Sequence, residues 1–232
     1  MIGSSILSFE VVDSTNDYIK NNLNNLKDGQ VIVAKTQTKG RGRFENVWQS
    51  SEGNLYFSFL LKQSFENDYV FKLQMLISVV IVKVLKKYGI SSLIKYPNDI
   101  LVKGKKIAGI LTETSIYSKV ESIIVGIGIN VNQINFQELS KKATSIKKET
   151  DKFIEVKDVL VDFINLFNKT NYDQKIYNDY IVHSDTISRT INYQNHDYQI
   201  KNILPNGNLV LVNDFETIQV NYTKLSLSQT NE

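Results

Sequence analysis

The 232-residue sequence has no cysteine, two prolines, two histidines and one tryptophan. Without cysteine there is no disulfide, no thiolate metal site and no enzyme thioester intermediate, a pattern that fits a reducing cytosol. His183 and His196 are too few and too scattered for an imidazole metal centre. Any metal is expected to be Mg²⁺ carried mostly on nucleotide phosphates, with no ligand set of the protein's own. Long apolar runs are missing as well: the longest, residues 75–85, is interrupted by Ser78 and Lys83, is too short to span a bilayer and reads as a buried helix. Residues 1–16 lack the basic start and apolar core of a signal peptide. Neither charge is in large surplus, because 27 Lys and Arg face 24 Asp and Glu for a net charge of +3. That balance argues against the electrostatic footprint of a DNA or membrane binder. A hydrophobic fraction of 42% with 22% charged residues is globular composition, enough for a sizeable core. The length suits one ordinary domain, or a large and a small one.

Two stretches carry chemistry. Residues 39–43 read KGRGR. Gly40 and Gly42 let backbone N–H groups approach a phosphate closely, and Arg41 and Arg43 supply cations whose planar forks can bind carboxylate or phosphate in a bidentate way. Taken alone, the stretch also describes a basic surface turn. Residues 95–113 read KYPNDILVKGKKIAGILTE. Pro97 stiffens the entry to a turn that presents Asn98 and Asp99. The spacing then predicts a hairpin through Lys103-Gly104 whose far arm returns Lys106 towards Asn98 and Asp99, beside the small residues Ala108 and Gly109. Lys103 and Lys105 suit the solvated tip.

The remaining pattern places these motifs on elements. A helix capped by Asp13 or Ser14 is predicted through about residue 26, a strand over 30–35, and an aromatic strand over 55–61. Apolar residues at helical spacing predict a core helix over 68–88, with Gly89 as its C-terminal cap. Strands follow over 93–96, 100–102, 107–115 and 120–131, the last two joined by a turn at Tyr117-Ser118. In the last strand Gly126 and Gly128 leave one face bare, which suits either a tightly packed strand or the close approach of a ligand. Helices are predicted over 156–167 and 173–180. Short alternating strands over 187–193, 198–204, 209–212 and 217–222, with a turn at Asn206-Gly207, suggest a small SH3-like barrel.

The order Asp13-Ser14-Thr15-Asn16, Gln37-x-x-Gly40-Arg41-Gly42-Arg43, Trp48, Lys95-Tyr96-Pro97-Asn98-Asp99, residues 106–113 and Gly126-Ile127-Gly128-Ile129-Asn130 resembles biotin protein ligases. The chain departs from their pattern at Phe44-Glu45-Asn46-Val47, where many members carry a further Gly-Arg, and at Tyr96, where a tryptophan is common. Tyr96 keeps an aromatic face and adds a hydroxyl that needs a partner if buried.

The resemblance implies an α+β fold: a class II synthetase-like catalytic domain of the biotin/lipoate ligase type, with a central mixed sheet flanked by helices, over residues 1–183, and a small SH3-like β-barrel over 184–232. Family members that repress transcription carry an N-terminal helix-turn-helix domain, for which Ser14-Thr15-Asn16 lies too near the start. The implied activity has two steps. Biotin and ATP, with Mg²⁺, give biotinyl-5′-AMP and pyrophosphate, and a lysine of a biotin carboxyl carrier protein then displaces AMP. Lys106, Arg43 and Asp99 are the implied catalytic residues, Asp99 orienting either the carrier amine or a magnesium ion. Ser14, Thr15, Asn16, Gln37, Arg41, Gly42, Arg43, Lys106 and Gly109 are implied for biotin, and Arg41, Arg43, Trp48, Asn98, Lys106 and Asn130 for the nucleotide. Of these, Trp48 is a candidate adenine stack, and Asn130 a candidate contact to ribose or phosphate. The arginine loop is expected to order over its ligands only when they are bound, since two glycines and two like charges gain little by closing empty. A cytoplasmic protein, possible as a homodimer through exposed sheet edges, is expected. The competing readings are a lipoate protein ligase and a non-catalytic SH3-containing adaptor, which would leave both phosphate motifs idle.

Overall fold

A seven-stranded sheet, in the order β1-β2-β3-β7-β6-β5-β4, forms the centre of the computed structural model, which describes all residues except 45, 67, 117–119 and 222–232. Its strands are β1 (Ile6–Val12), β2 (Val31–Gln37), β3 (Leu55–Phe65), β4 (Leu93–Lys95), β5 (Asp99–Val102), β6 (Lys105–Ile116) and β7 (Val120–Ile129). β1 and β2 run parallel, and the other neighbours antiparallel. The helices are α1 (Thr15–Asn21), α2 (Tyr69–Lys87), α3 (Ile146–Thr150), α4 (Val156–Asn168) and α5 (Gln174–Val182). A second sheet, antiparallel, comprises β8 (Thr190–Tyr193), β9 (His196–Ile203), β10 (Leu209–Val212) and β11 (Thr217–Val220).

The two faces of the large sheet are covered unequally, and this creates the site. On one face, α2 packs against the sheet and against α4 and α5. Phe57 and Phe59 of β3 meet Phe163 and Phe167 of α4 at ring distances of 5.1 and 5.3 Å. α2 is apolar on most of its surface because it lies inside this layer, and Gly89, at φ +83, ends it where a side chain would be strained. On the other face α1 is the helix that packs among the described residues, over a small cluster of Ile19, Leu26, Ile32, Leu60 and Ile124. The remainder of that face is left for a cavity.

Several expectations are refined. α1 stops at Asn21 rather than near residue 26, because the Asn22 side chain donates to the Tyr18 carbonyl at 2.8 Å and competes with the next helical bond. β1 escapes pattern reading because a terminal strand, mostly exposed here, has little alternation to show. The Lys103-Gly104 turn forms with both residues at positive φ, as a tight hairpin requires. The turn at Tyr117-Ser118 and the last residue of the 217–222 strand, Tyr222, lie outside the described residues. In place of a closed barrel, the described C-terminal residues form an open antiparallel sheet of the SH3-like kind.

The two sheets share one hydrophobic core. Ile191, Tyr198, Ile200, Ile203, Leu209 and Leu211 belong to the same buried cluster as Phe57, Ile94 and Tyr96. Ile94 of β4 donates to the His183 carbonyl at 2.7 Å and accepts from Asp185 N–H at 2.8 Å. Tyr96 fastens the joint: its hydroxyl donates to the Gly207 carbonyl at 2.7 Å, and its N–H donates to Thr186 Oγ1 at 2.9 Å. The hydroxyl added by this departure from the family pattern therefore has its buried partner. Tyr96→Phe is expected to lower the unfolding free energy by about 1–3 kcal/mol, because the buried Gly207 carbonyl loses its donor. Urea unfolding followed by circular dichroism measures it, and wild-type stability would show that the bond contributes nothing net.

Candidate active site

The cavity on the α1 face, of about 840 Å³, is lined by residues from both sequence motifs and from the start of α1. Its floor is made of glycines. A Cβ on Gly126 would lie 2.2 Å from Asn16 Oδ1, and one on Gly128 would lie 2.5 Å from the Trp48 ring. Gly109, paired with Gly128 across β6 and β7, would also meet Trp48, at 2.8 Å. The bare strand face thus forms two seats about 7 Å apart along β7, one for the Asn16 amide and one for the Trp48 indole.

Around the first seat the side chains form a polar chain. Ser14 caps α1 by accepting from Asp17 N–H, which fixes the helix start over the sheet. Gln37 Oε1 accepts from Thr15 N–H at 2.9 Å, and its Nε2 donates to Ser50 at 3.0 Å. Ser58 of β3 lies 2.6 Å from both Thr15 Oγ1 and Asn16 Oδ1. Tyr56, two residues earlier, is no candidate acid: burial pushes its phenol up to about 12, against a smaller opposing effect of Asn54.

Around the second seat are cations. The hairpin brings Lys106 Nζ to 2.7 Å from Asp99 Oδ1 and 5.0 Å from the centre of the Trp48 ring. Its backbone is fixed by the segment at Ala143, since Lys106 N–H donates to the Lys142 carbonyl and its own carbonyl accepts from Thr144 N–H. Asn98 is held by Ile110, from whose N–H it accepts and to whose carbonyl its amide donates, both at 3.0 Å. Arg43 Nη1 reaches Asn98 Oδ1 at 3.4 Å, and its guanidinium lies 4.7 Å from the centre of the Phe44 ring.

The described residues of the loop from Gly40 to Trp48 are held by hydrogen bonds across it. Trp48 N–H donates to Gly40 at 2.9 Å, Gly42 N–H to Asn46 at 2.7 Å, and the Asn46 amide to the Arg43 carbonyl at 2.8 Å. Arg41 anchors it, with Nη2 at 2.6 Å from Asp17 and 2.9 Å from Glu113. These carboxylates offset the charge of Arg41.

A model of the biotin/lipoate A/B protein ligase family matches residues 8–130, the stretch that builds both seats and the loop. The chain belongs to this family. A bifunctional ligase/repressor BirA of Bacillus spizizenii is 36% identical over 193 residues, covering 80% of this chain and 58% of the relative. The chain therefore spans somewhat under two thirds of that relative's length. Biotin–protein ligase 1 of Arabidopsis thaliana is 37% identical over 128 residues, 52% of this chain and 35% of the relative. The biotin protein ligase of Aquifex aeolicus, solved in complex with biotin and ATP, superposes with a TM-score of 0.80 at 28% identity, covering 94% of this chain and 96% of the other.

Within this family fold, the cavity lining includes Ser14, Thr15, Asn16, Gln37, Arg41, Gly42, Arg43, Trp48, Asn98, Asp99, Lys106 and Gly109. Asn130 stands apart. It is 6% exposed, its amide donates to the Thr144 carbonyl at 2.9 Å, and its backbone bonds Ile107 and Ile146. It braces the strand behind Lys106 instead of facing the cavity. The Arg41 guanidinium is engaged by two carboxylates, Asp17 and Glu113. Sequence reasoning gave no role to Ser58, Asp17 or Glu113. Ser58 had a signal, as the lone polar residue within the apolar run 55–61, whereas Asp17 and Glu113 matter only through a fold that brings them to Arg41.

Gly128→Ala is expected to keep the fold at a cost of about 1–3 kcal/mol, typical of overpacking, and to lift Trp48 off the strand. Trp48 is the sole tryptophan. Its emission should then shift to the red and become easier to quench with acrylamide, and an unchanged spectrum would refute the seat.

Proposed function

We propose that this chain is an ATP-dependent biotin protein ligase that forms biotinyl-5′-AMP and transfers biotin to a lysine of a biotin carboxyl carrier protein. The observation that carries the reading is the pair of adjacent seats in one cavity, one ringed by hydrogen-bonding side chains and the other by cations beside an indole. A ureido ring needs donors and acceptors at fixed positions, and Ser14, Thr15, Asn16 and Gln37 offer both. An adenine needs a π-face, which Trp48 offers. The similarity to the Aquifex enzyme, solved with biotin and ATP, supports the same assignment.

In the first step a biotin carboxylate oxygen attacks the α-phosphorus and pyrophosphate leaves. Two anions must meet, so the work of the site is positioning and charge neutralisation. Lys106 and Arg43 are the cations assigned to it. In the second step the carrier amine attacks the acyl carbon, AMP leaves with the electron pair of the broken bond, and the amine's proton is lost. Asp99, which pairs with Lys106, is assigned to orient either that amine or a magnesium ion. Magnesium would enter on the phosphates of ATP, since among the described residues no three His, Asp or Glu side chains lie together to hold a metal.

Residues 1–183 are assigned as the catalytic unit and 184–232 as the accessory one. A cytoplasmic location accords with the lack of cysteine, and no helix among the described residues is long and apolar enough to cross a membrane. The terminal strand β1, with Ile6, Leu7 and Val11 exposed, supports a homodimer by sheet extension.

Pyrophosphate release on mixing the protein with biotin and ATP tests the reading. Release with lipoate in place of biotin would move it to the lipoate branch, and release with neither would refute it. Lys106→Ala is expected to cut adenylate formation by roughly 10²- to 10³-fold while leaving the fold intact, the usual effect of removing a charge-stabilising group at a dry reacting centre. Near-normal biotinyl-AMP in a quenched assay would remove Lys106 from its role.

A further inference from the structure

The polar chain beneath α1 does not end at Asn16. Asn16 Nδ2 donates to Glu113 Oε2 at 2.7 Å, and Arg41 Nη2 donates to the same oxygen at 2.9 Å and to Oε1 at 3.0 Å. Glu113 therefore touches the pocket floor through Asn16 and the arginine loop through Arg41, yet it is not among the residues lining the cavity. The floor side of the chain is tightly enclosed: Thr15 and Asn16 are 3% exposed and Ser58 is fully buried. Asn16 has little freedom, because the strand at Gly126 lies directly beneath its amide, the Ser58 hydroxyl lies 2.6 Å from its oxygen and Glu113 accepts from its nitrogen.

Ser58 makes this chain responsive. Its hydroxyl carries one proton but lies 2.6 Å from two acceptors, Thr15 Oγ1 and Asn16 Oδ1, so it serves one of them at a time. Thr15 has the same choice, since its hydroxyl is also 3.2 Å from Gln37 Oε1. A ligand that bonds to the Thr15 hydroxyl selects one arrangement, and the selection reaches Asn16. From there it reaches Glu113 and Arg41 through one shared carboxylate oxygen.

We propose that Glu113 is a positioning residue that couples occupancy of the polar floor to the placement of Arg41, by holding Asn16 and Arg41 with the same carboxylate. The proposal rests on reading the cavity as the adenylation site. Coupling of this kind is reciprocal: if a ligand on the floor favours Arg41 in its place against Glu113, that placement favours the ligand by the same factor. A residue outside the cavity lining thus controls both the affinity for biotin and the residence time of the adenylate.

The test is a double-mutant cycle in the full chain, with biotin affinity measured by calorimetry without ATP and release of preformed biotinyl-AMP measured by rapid filtration. Glu113→Gln and Arg41→Met are each expected to weaken biotin binding about tenfold and to shorten adenylate residence about tenfold, the scale of one charge-assisted hydrogen bond. The double variant is expected to lose no more than either single one. Losses that multiply towards a hundredfold, or normal biotin affinity in folded Glu113→Gln, would overturn the coupling. A purely structural role for Glu113 would lower the melting temperature and the active fraction while leaving the affinity of the folded protein unchanged. If Glu113→Gln does not fold, a cycle between Asn16→Ala and Arg41→Met probes the same link without altering Glu113: overlapping losses support it and multiplying losses refute it. Absence of biotinyl-AMP in the wild type would instead refute the adenylation reading, before any variant is compared.

Discussion

The site depends on a stretch of sheet that carries no side chains. Gly109, Gly126 and Gly128 leave one face of β6 and β7 bare, and Asn16 and Trp48 lie closer to that backbone than any Cβ would allow. An alanine at Gly126 would push the Asn16 amide away from Ser58 and Glu113, and with it the chain that leads to the loop. Glycine in a strand normally weakens it. Here the pairing is secured from both sides, since β7 lies between β3 and β6, and the opposite face is packed by α2 and α4. The well-packed face offsets the cost of the empty one.

A second constraint is electrostatic. Cations gathered around one cavity repel one another. The structure resolves this by pairing: Lys106 with Asp99, and Arg41 with Asp17 and Glu113. These pairs are partly exposed, so they contribute little to stability. Their importance is geometric, because they fix long, rotamer-rich side chains around the cavity.

The C-terminal sheet is tied to the site by a short route. Tyr96 bonds Thr186 and Gly207, and the next residues along the chain are Pro97, Asn98 and Asp99. The shared core and these bonds mean that the small sheet supports the turn that presents Asn98 and Asp99.

The sequence alone determined whatever is local or periodic. The apolar stripe of α2, the Lys103-Gly104 and Asn206-Gly207 turns, the Ser14 cap and the family motifs were legible because each depends on neighbours a few residues away. Only the tertiary structure decided what depends on distant partners. β1 was missed because a terminal strand shows little alternation. The bond of the Asn130 amide was not legible because its acceptor lies fourteen residues on, at Thr144. Glu113 gains its place only when β6, α1 and the loop meet, bringing residues 16, 41 and 113 into contact. Hydrogen bonds and ion pairs act over about 3 Å, so chemistry assembled across that much chain is set by the packing of the sheet and not by any spacing a linear pattern can show.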